Sequence, residues 1–293
     1  MNLDSLPVTI VDACLRNGHG GSPTAVLDDA DLSDAQRRAV PGRAGTSHAV
    51  FLRARASADG PQVVGMRFFT AVGELPGCGH GTVAGLALLA ERAGRSEQRF
   101  TVQAGERSFA GHAVQASGRF EARFDPGVIT TRRATAAELG PALAALGLHP
   151  QKDTGSAHVA SLGRARLLVR ARSRAALATL APDADRLGVA CDLLGLLGCY
   201  VYAPSESDDH FTARMFAPSI GVPEDIANAN STACLAALLA DQGAGEITVD
   251  MGDSLGNPAT VVASTRASRP GLRVLVGGSA RIRDRPSVVM QSP

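Results

Sequence analysis

The sequence predicts an α+β protein of two pseudo-symmetric domains, each a curled mixed β-sheet or barrel around one central apolar helix. Three observations predict it. First, the chain nearly repeats itself: Arg67 to Gly94 reads RFFTAVGELPGCGHGTVAGLALLAERAG, and Arg214 to Gly243 reads RMFAPSIGVPEDIANANSTACLAALLADQG. At the offset that aligns Arg67 with Arg214, Phe69 falls on Phe216, Pro76 on Pro223 and Cys78 on Asp225, and a small gap is needed beyond. A repeat of this length implies two copies of one strand–loop–helix unit. Second, the helix in each copy is apolar nearly all round, as in Val83, Ala84, Leu86, Ala87, Leu88, Leu89 and Ala90, so it is buried on most sides. Third, strand-like segments outnumber helical ones and do not alternate with them, which argues against a doubly wound βαβ array.

The elements follow in order. Val8 to Ala13 is apolar and β-branched and reads as a strand. Arg16 to Pro23 is a glycine-rich loop, followed by Thr24 to Leu27. Ser33 is placed to cap a helix over Asp34 to Val40. Ala49 to Ala54 and Val63 to Thr70 read as strands, and Cys78 to Ala93 as the first buried helix. Phe100 to Gln103, Ala110 to Gln115 and Gly118 to Phe124 complete the first half as strands. In the second half, Thr135 to Leu146 reads as a helix, Ala157 to Ala160 and Ala165 to Val169 as strands, and Ser173 to Leu187 as one helix. Tyr200 to Ala203 and His210 to Phe216 are strand-like, and Asn230 to Asp241 is the second buried helix. Glu246 to Met251, Ala259 to Ser264 and Leu272 to Ile282 close the chain as strands. The domains expected are 1–117 together with 281–293, and 118–280.

Composition bounds the function. The chain of 293 residues is 45% apolar and carries a net charge of +1, so it is globular and lacks the electrostatic footprint of a nucleic-acid or anionic-membrane binder. Its five cysteines are odd in number and form no CxxC, which suits a reducing cytoplasm. The start, MNLDSLPVTIVDAC, has no signal-like pattern, and no apolar run has the length of a membrane span.

Several motifs are set aside. Gly252-Asp253-Ser254-Leu255-Gly256 fits G-x-S-x-G, but Asn257-Pro258 follows where a helix is required and the last histidine, His210, precedes the serine. It reads as a tight turn. The glycine clusters Gly18 to Gly21 and Gly73 to Gly81 lack the spacing of a dinucleotide or phosphate loop. Cys78 and His80 are ligand types without a second spaced pair, so no metal is expected.

Three segments carry polar groups that a core does not need. His48 stands with Ser47 at the entry to an apolar strand. Gly77-Cys78-Gly79-His80-Gly81-Thr82 opens a helix, where glycines let a ligand approach backbone N–H groups that favour an anion. Glu224-Asp225 precede the second helix start, Ala229-Asn230-Ser231. There Glu224 reads as a first-turn acid complementing the helix dipole, and Asp225 as the counterpart of Cys78.

Together these segments resemble the PhzF family, the phenazine-biosynthesis-like proteins of the diaminopimelate-epimerase fold, over nearly the whole chain. Gly21-Ser22-Pro23-Thr24-Ala25-Val26 is similar to the family's GNPaAV loop, and Leu32 to Arg38 to its LSdeqmq helix. Ser47-His48-Ala49-Val50-Phe51 is similar to SETaF. Phe69-Thr70-Ala71 to Cys78-Gly79-His80-Gly81-Thr82 matches F-T-P-x-x-E-x-P-x-C-G-H-A-T, and Arg214 to Asn230 matches R-x-F-aP-x-x-G-v-x-E-D-P-a-T-G-S. A GRPS-like turn at Gly256 to Ala259 and a closing strand at Val274 to Gly278 complete the likeness. The chain departs from the pattern at the family's acid/base glutamate, which is His48, at the loop asparagine, which is Ser22, and at the Gly-Ser after Glu-Asp, which is Ala229-Asn230.

The resemblance implies a cofactor-independent isomerase that shifts a proton or double bond in a small carboxylate-bearing metabolite, held in a cleft between two domains. His48 is the expected base, with Asp225 and His80 relaying protons. Ser22, Ser47, Cys78, Gly79, Gly81, Thr82, Ala229, Asn230 and Ser231 are expected to bind substrate. Specialised metabolism of an alkylproline or phenazine-like kind is implied at family level, as is a homodimer. A non-catalytic binding homologue and a lyase or dehydratase are the competing readings.

Overall fold

The structure is a computed structural model that describes residues 6–55, 61–149, 152–205, 207–268 and 271–283. Most of 281–293, assigned above to the first domain, lies outside these residues. The chain divides into two compact units, one of 1–125 with 277–293 and one of 126–276.

The first unit contains β1 (Thr9–Ala13), β2 (Ser22–Asp28), α1 (Asp34–Arg43), β3 (His48–Arg55), β4 (Gln62–Phe69), β5 (Glu74–Leu75), α2 (Gly79–Ala93), β6 (Glu97–Ala104), β7 (Arg107–Ala116) and β8 (Arg119–Phe124). The second contains β9 (Thr130–Arg133), α3 (Ala136–Leu146), β10 (Thr154–Leu162), β11 (Arg164–Ala171), α4 (Arg174–Ala178), α5 (Ala184–Leu193), β12 (Leu196–Pro204), β13 (His210–Ala217), β14 (Val222–Asp225), α6 (Ala229–Ala240), β15 (Glu246–Met251) and β16 (Ala259–Ser268). The last strand, β17 (Gly271–Ile282), contributes its end to the first unit.

In the first unit the pairings close on themselves. β1 pairs antiparallel with β2, β2 parallel with β3, β3 antiparallel with β4, and β4 parallel with β6. β6, β7 and β8 follow antiparallel, β8 pairs with β17, and β17 returns antiparallel to β1. The result is a mixed eight-stranded barrel in which α2 packs on β1, β2, β3, β4, β6, β7 and β8. This is why α2 is apolar on all sides. Strand alternation sorts the wall. Ala25, Leu27, Ala49, Phe51 and Phe69 cluster with Val40 of α1, whereas Val50, Leu52, Met66 and Phe68 face α2. Gly81 and Gly85 of α2 allow that approach: a Cβ on Gly81 would lie 3.0 Å from Val50 and 3.1 Å from Phe68, and one on Gly85 3.0 Å from Met66. Gly81 therefore sits in tight packing, in addition to any role toward a ligand.

The second unit repeats the order of pairings. β10–β11 is antiparallel, β11–β12 parallel, β12–β13 antiparallel, β13–β15 parallel and β15–β16 antiparallel, with β9 added antiparallel beside β10. α6 packs on β9, β10, β11, β15 and β16. On β12, Cys199, Val201 and Ala203 join Leu143, Leu146, Leu187 and Cys191 from α3 and α5, while Tyr200 reaches the other way to α6.

The capping expectations hold in detail: Ser33 and Gln36 form a capping box on α1. Four expectations are corrected. Ser173 to Leu187 is two helices, α4 and α5, because α4 stops at Thr179 and Asp183, after Pro182, caps a new helix. The bend of each repeat holds a short hook strand, β5 or β14, pairing back on β4 or β13. The register of the repeat also changes there. Thr70 bonds Gly73 across two residues, whereas Ala217 pairs with Val222 across four, and β14 then carries a bulge. Cys78 therefore corresponds to Asn228, the N-cap of α6, and Asp225 corresponds to Leu75 in the hook. Glu224 also lies in β14 rather than in the first turn of α6.

The Arg-x-Phe opening of each repeat has a structural reason. Arg67 lies over the Phe69 ring at 5.0 Å and binds Glu74 through both carboxylate oxygens, at 2.8 and 2.7 Å. Arg214 lies over Phe216 at 4.9 Å and binds Glu224 at the same two distances. Each arginine thus pins its hook strand to the strand it folds back from.

Candidate active site

The hook β5 delivers the chain to α2 with Cys78 as N-cap, in extended conformation and with no cap bond from its side chain. The thiol instead turns to His80: Cys78 Sγ lies 3.4 Å from His80 Nε2. His48 opens β3 on the same face as Val50 and Leu52, so alternation aims it at α2. Its ring meets His80 edge-on, with centroids 4.4 Å apart and planes at 83°. One ligand-type atom from each of His48, Cys78 and His80 falls within 4.8 Å of the other two, and all three residues are buried.

Ser47 is exposed, and its Oγ lies 2.9 Å from His48 Nδ1. Burial, with His80 adding to it, holds the His48 imidazole well below its ordinary pKa. His48 is thus a neutral ring at neutral pH, with a nitrogen lone pair to offer. Thr82 Oγ1 donates to the Cys78 carbonyl at 2.8 Å and closes the first turn. Gly79 is buried in the same turn. Ser22 opens β2, two residues before Thr24, which pairs with His48, so it lies on the same face of the sheet. Its Oγ is fully buried and has no partner.

The start of α6 is built differently. Asn228 accepts from the Ser231 N–H at 2.9 Å and donates through Nδ2 to Asp225 Oδ2 at 2.9 Å. Thr232 Oγ1 donates to the Asn228 carbonyl at 3.1 Å and lies 2.8 Å from the Tyr200 hydroxyl, whose pKa burial raises. Ala229 and Ser231 are fully buried, and Asn230 is half-buried. Arg166, only 2% exposed, reaches Ser231 Oγ at 3.4 Å and the Arg164 carbonyl at 3.0 Å, while its Nε has no partner. Among the described residues no carboxylate forms a salt bridge with it.

The structure therefore gathers Ser47, His48, Cys78, Gly79, His80, Gly81 and Thr82 at one helix start, and Asp225, Ala229, Asn230 and Ser231 at the other. Sequence reasoning missed Asn228, Tyr200 and Arg166. The one available signal was Arg166 itself, a charge at the head of the apolar strand Leu167-Leu168-Val169. The G-x-S-x-G segment is the expected turn: Asp253–Leu255 is a 3-10 turn between left-handed Gly252 and Gly256, and Ser254 donates to Glu224. No described helix is long and apolar enough to cross a membrane.

Comparison with known proteins agrees with this architecture. A trans-2,3-dihydro-3-hydroxyanthranilate isomerase of Pseudomonas aeruginosa is 30% identical over 90% of this chain and 91% of its own. The solved structure of a predicted epimerase from the same organism superposes with a TM-score of 0.81 at 26% identity, covering 97% of this chain and 99% of that one. A probable proline racemase from Agrobacterium radiobacter shares the fold at 10% identity, with a TM-score of 0.63 over 96% of this chain and 93% of that one. The family model described as phenazine biosynthesis-like protein, PhzC-PhzF, matches residues 11–284. A barrel wrapped on a buried helix and these relatives converge on one conclusion: the chain is an isomerase that belongs to the phenazine biosynthesis-like family.

Proposed function

We propose that the protein moves a proton between carbons, or shifts a double bond, in a small carboxylate-bearing metabolite, with His48 as the base. The observation that carries this reading is the buried, neutral His48 ring held against His80 at the first turn of α2. A neutral imidazole keeps its lone pair free to take a proton from carbon, and its lowered pKa makes it give that proton back readily. His80, in contact with both His48 and Cys78, relays or orients that proton. The substrate carboxylate is received by backbone N–H groups and the positive end of the helix dipole at α2. Asp225, tied to Asn228, acts as a second proton-handling group. The chemistry needs no organic cofactor, and the working form is a homodimer. The natural substrate belongs to specialised metabolism, in the range of alkylproline or phenazine-like precursors.

The test is carbon-bound deuterium uptake from heavy water by a panel of cyclic and unsaturated carboxylates, trans-2,3-dihydro-3-hydroxyanthranilate included. His48→Ala should reduce exchange by about a hundredfold or more while the protein stays folded. Wild-type exchange in His48→Ala would remove His48 from the base role and leave Asp225 or His80 to fill it.

A further inference from the structure

We propose that His48, Cys78 and His80 form a binding site for a divalent transition ion of the zinc class. The donor set is two imidazoles and one thiol, the mixture that suits a borderline-soft ion and not a hard one such as magnesium. The three come from two elements, the first residue of β3 and the start of α2, so the strand and the helix hold them with little freedom to lose. Tetrahedral zinc, with bonds of about 2.0–2.3 Å, places neighbouring nitrogen and sulfur ligands about 3.5 Å apart. The Cys78 Sγ to His80 Nε2 separation of 3.4 Å already has that length. The whole set, within 4.8 Å, closes on an ion by side-chain shifts of about 1 Å.

Two further features fit. Ser47 Oγ lies 2.9 Å from His48 Nδ1, the kind of outer contact that orients a ligating imidazole, and it leaves Nε2 for the ion. Cys78 makes no cap bond, so its thiol is not spent on the helix and stays turned toward His80. Three protein ligands leave a fourth position for water or an anion. Bound there, the ion takes the lone pair with which His48 would accept a proton. Occupied site and working base are then mutually exclusive, and the ion inhibits. That consequence rests on the function proposed above; the binding does not.

The experiment uses the full chain, reduced and stripped with chelator, titrated with cobalt(II) and then with zinc(II). The expected result is one equivalent of cobalt with a thiolate-to-cobalt absorption band, displaced by zinc. Cys78→Ser should abolish the band. Serine is a favoured N-cap, so that variant should fold, and circular dichroism checks it. His48→Ala and His80→Ala should each weaken binding by about tenfold or more, and Ser47→Ala by about as much through loss of the orienting contact. Absence of the band in the wild type, or its survival in Cys78→Ser, overturns the site. Turnover should fall on zinc addition and return with chelator. Binding as described with turnover unaffected would keep the site and remove the base role of His48. No binding, with exchange still lost in His48→Ala, would do the reverse.

Discussion

The starts of α2 and α6 are reached through the same order of strand pairings, the same hook and the same arginine clamp, and they differ in what caps them. At α6, Asn228 caps Ser231 and anchors Asp225, while Thr232 and Tyr200 extend the chain of hydrogen bonds. At α2, the equivalent residue is Cys78, which makes no cap bond and faces two histidines. One end spends its polar groups on its own structure. The other leaves its thiol without a cap bond, beside two imidazoles. The difference teaches that the repeat keeps one frame while its two helix starts are capped by different means.

The largest effect should separate the two clamps. Arg214 and Glu224 side chains are 11% and 12% exposed, and Arg214 also donates to the Leu177 and Leu180 carbonyls. Arg67 and Glu74 are 33% and 42% exposed. Arg214→Ala should cost about 3–5 kcal/mol by urea unfolding, because it removes the ion pair of the nearly buried Glu224 carboxylate and leaves it only the Ser254 hydroxyl. Arg67→Ala should cost about 1 kcal/mol or less. Equal costs would mean that the clamps do not differ as their burial implies.

The third residue of each helix comes next. Ser231 fits fully buried in α6, but a Cβ at Gly81 would lie 3.0–3.1 Å from Val50, Cys78 and Phe68. Gly81→Ala should destabilise by about 1–3 kcal/mol through overpacking, read by thermal or urea denaturation. Bulkier substitutions there report on packing before they report on a ligand. A neutral Gly81→Ala with weakened substrate-analogue binding would instead favour the ligand role.

The caps themselves should differ by less. Asn228→Ala should cost about 1 kcal/mol, whereas Cys78→Ser should cost nothing or stabilise by up to about 1 kcal/mol. Comparable losses at the two positions would contradict the contrast drawn between them.

The smallest effect concerns pH. The capping box of α1 uses neutral Gln36, and that of α3 uses Glu138. Hydrogen bonding from Arg132, then from the Thr135 backbone, lowers the Glu138 pKa from 4.5 to about 2. A carboxyl with a depressed folded pKa stabilises fully above its unfolded value and loses that stabilisation as pH falls toward the folded one. At this surface site the gain is at most about 0.5 kcal/mol after screening. The stability gap between wild type and Glu138→Gln should therefore shrink as pH drops from about 5 toward 2, while Gln36→Ala should show a pH-independent cost.

Local pattern in the sequence determined the two-fold repeat, the buried helices, the strand that follows His48, and the Ser33 cap. These depend on period and on near neighbours, which a linear sequence displays directly. The break in Ser173 to Leu187 was also written there, in Pro182 and Asp183, though apolar spacing across it concealed the stop. Tertiary structure alone decided the rest. The hooks pair two or four residues across a turn, and the longer turn and bulge of the second hook moved Asn228, not Asp225, into the place of Cys78. β9 is exposed at all four positions and carried no apolar pattern to read. The meeting of His48 with Cys78 and His80 depends on parallel and antiparallel pairings that close a barrel around α2, and no local periodicity encodes which distant residues such a closure brings within a few ångströms.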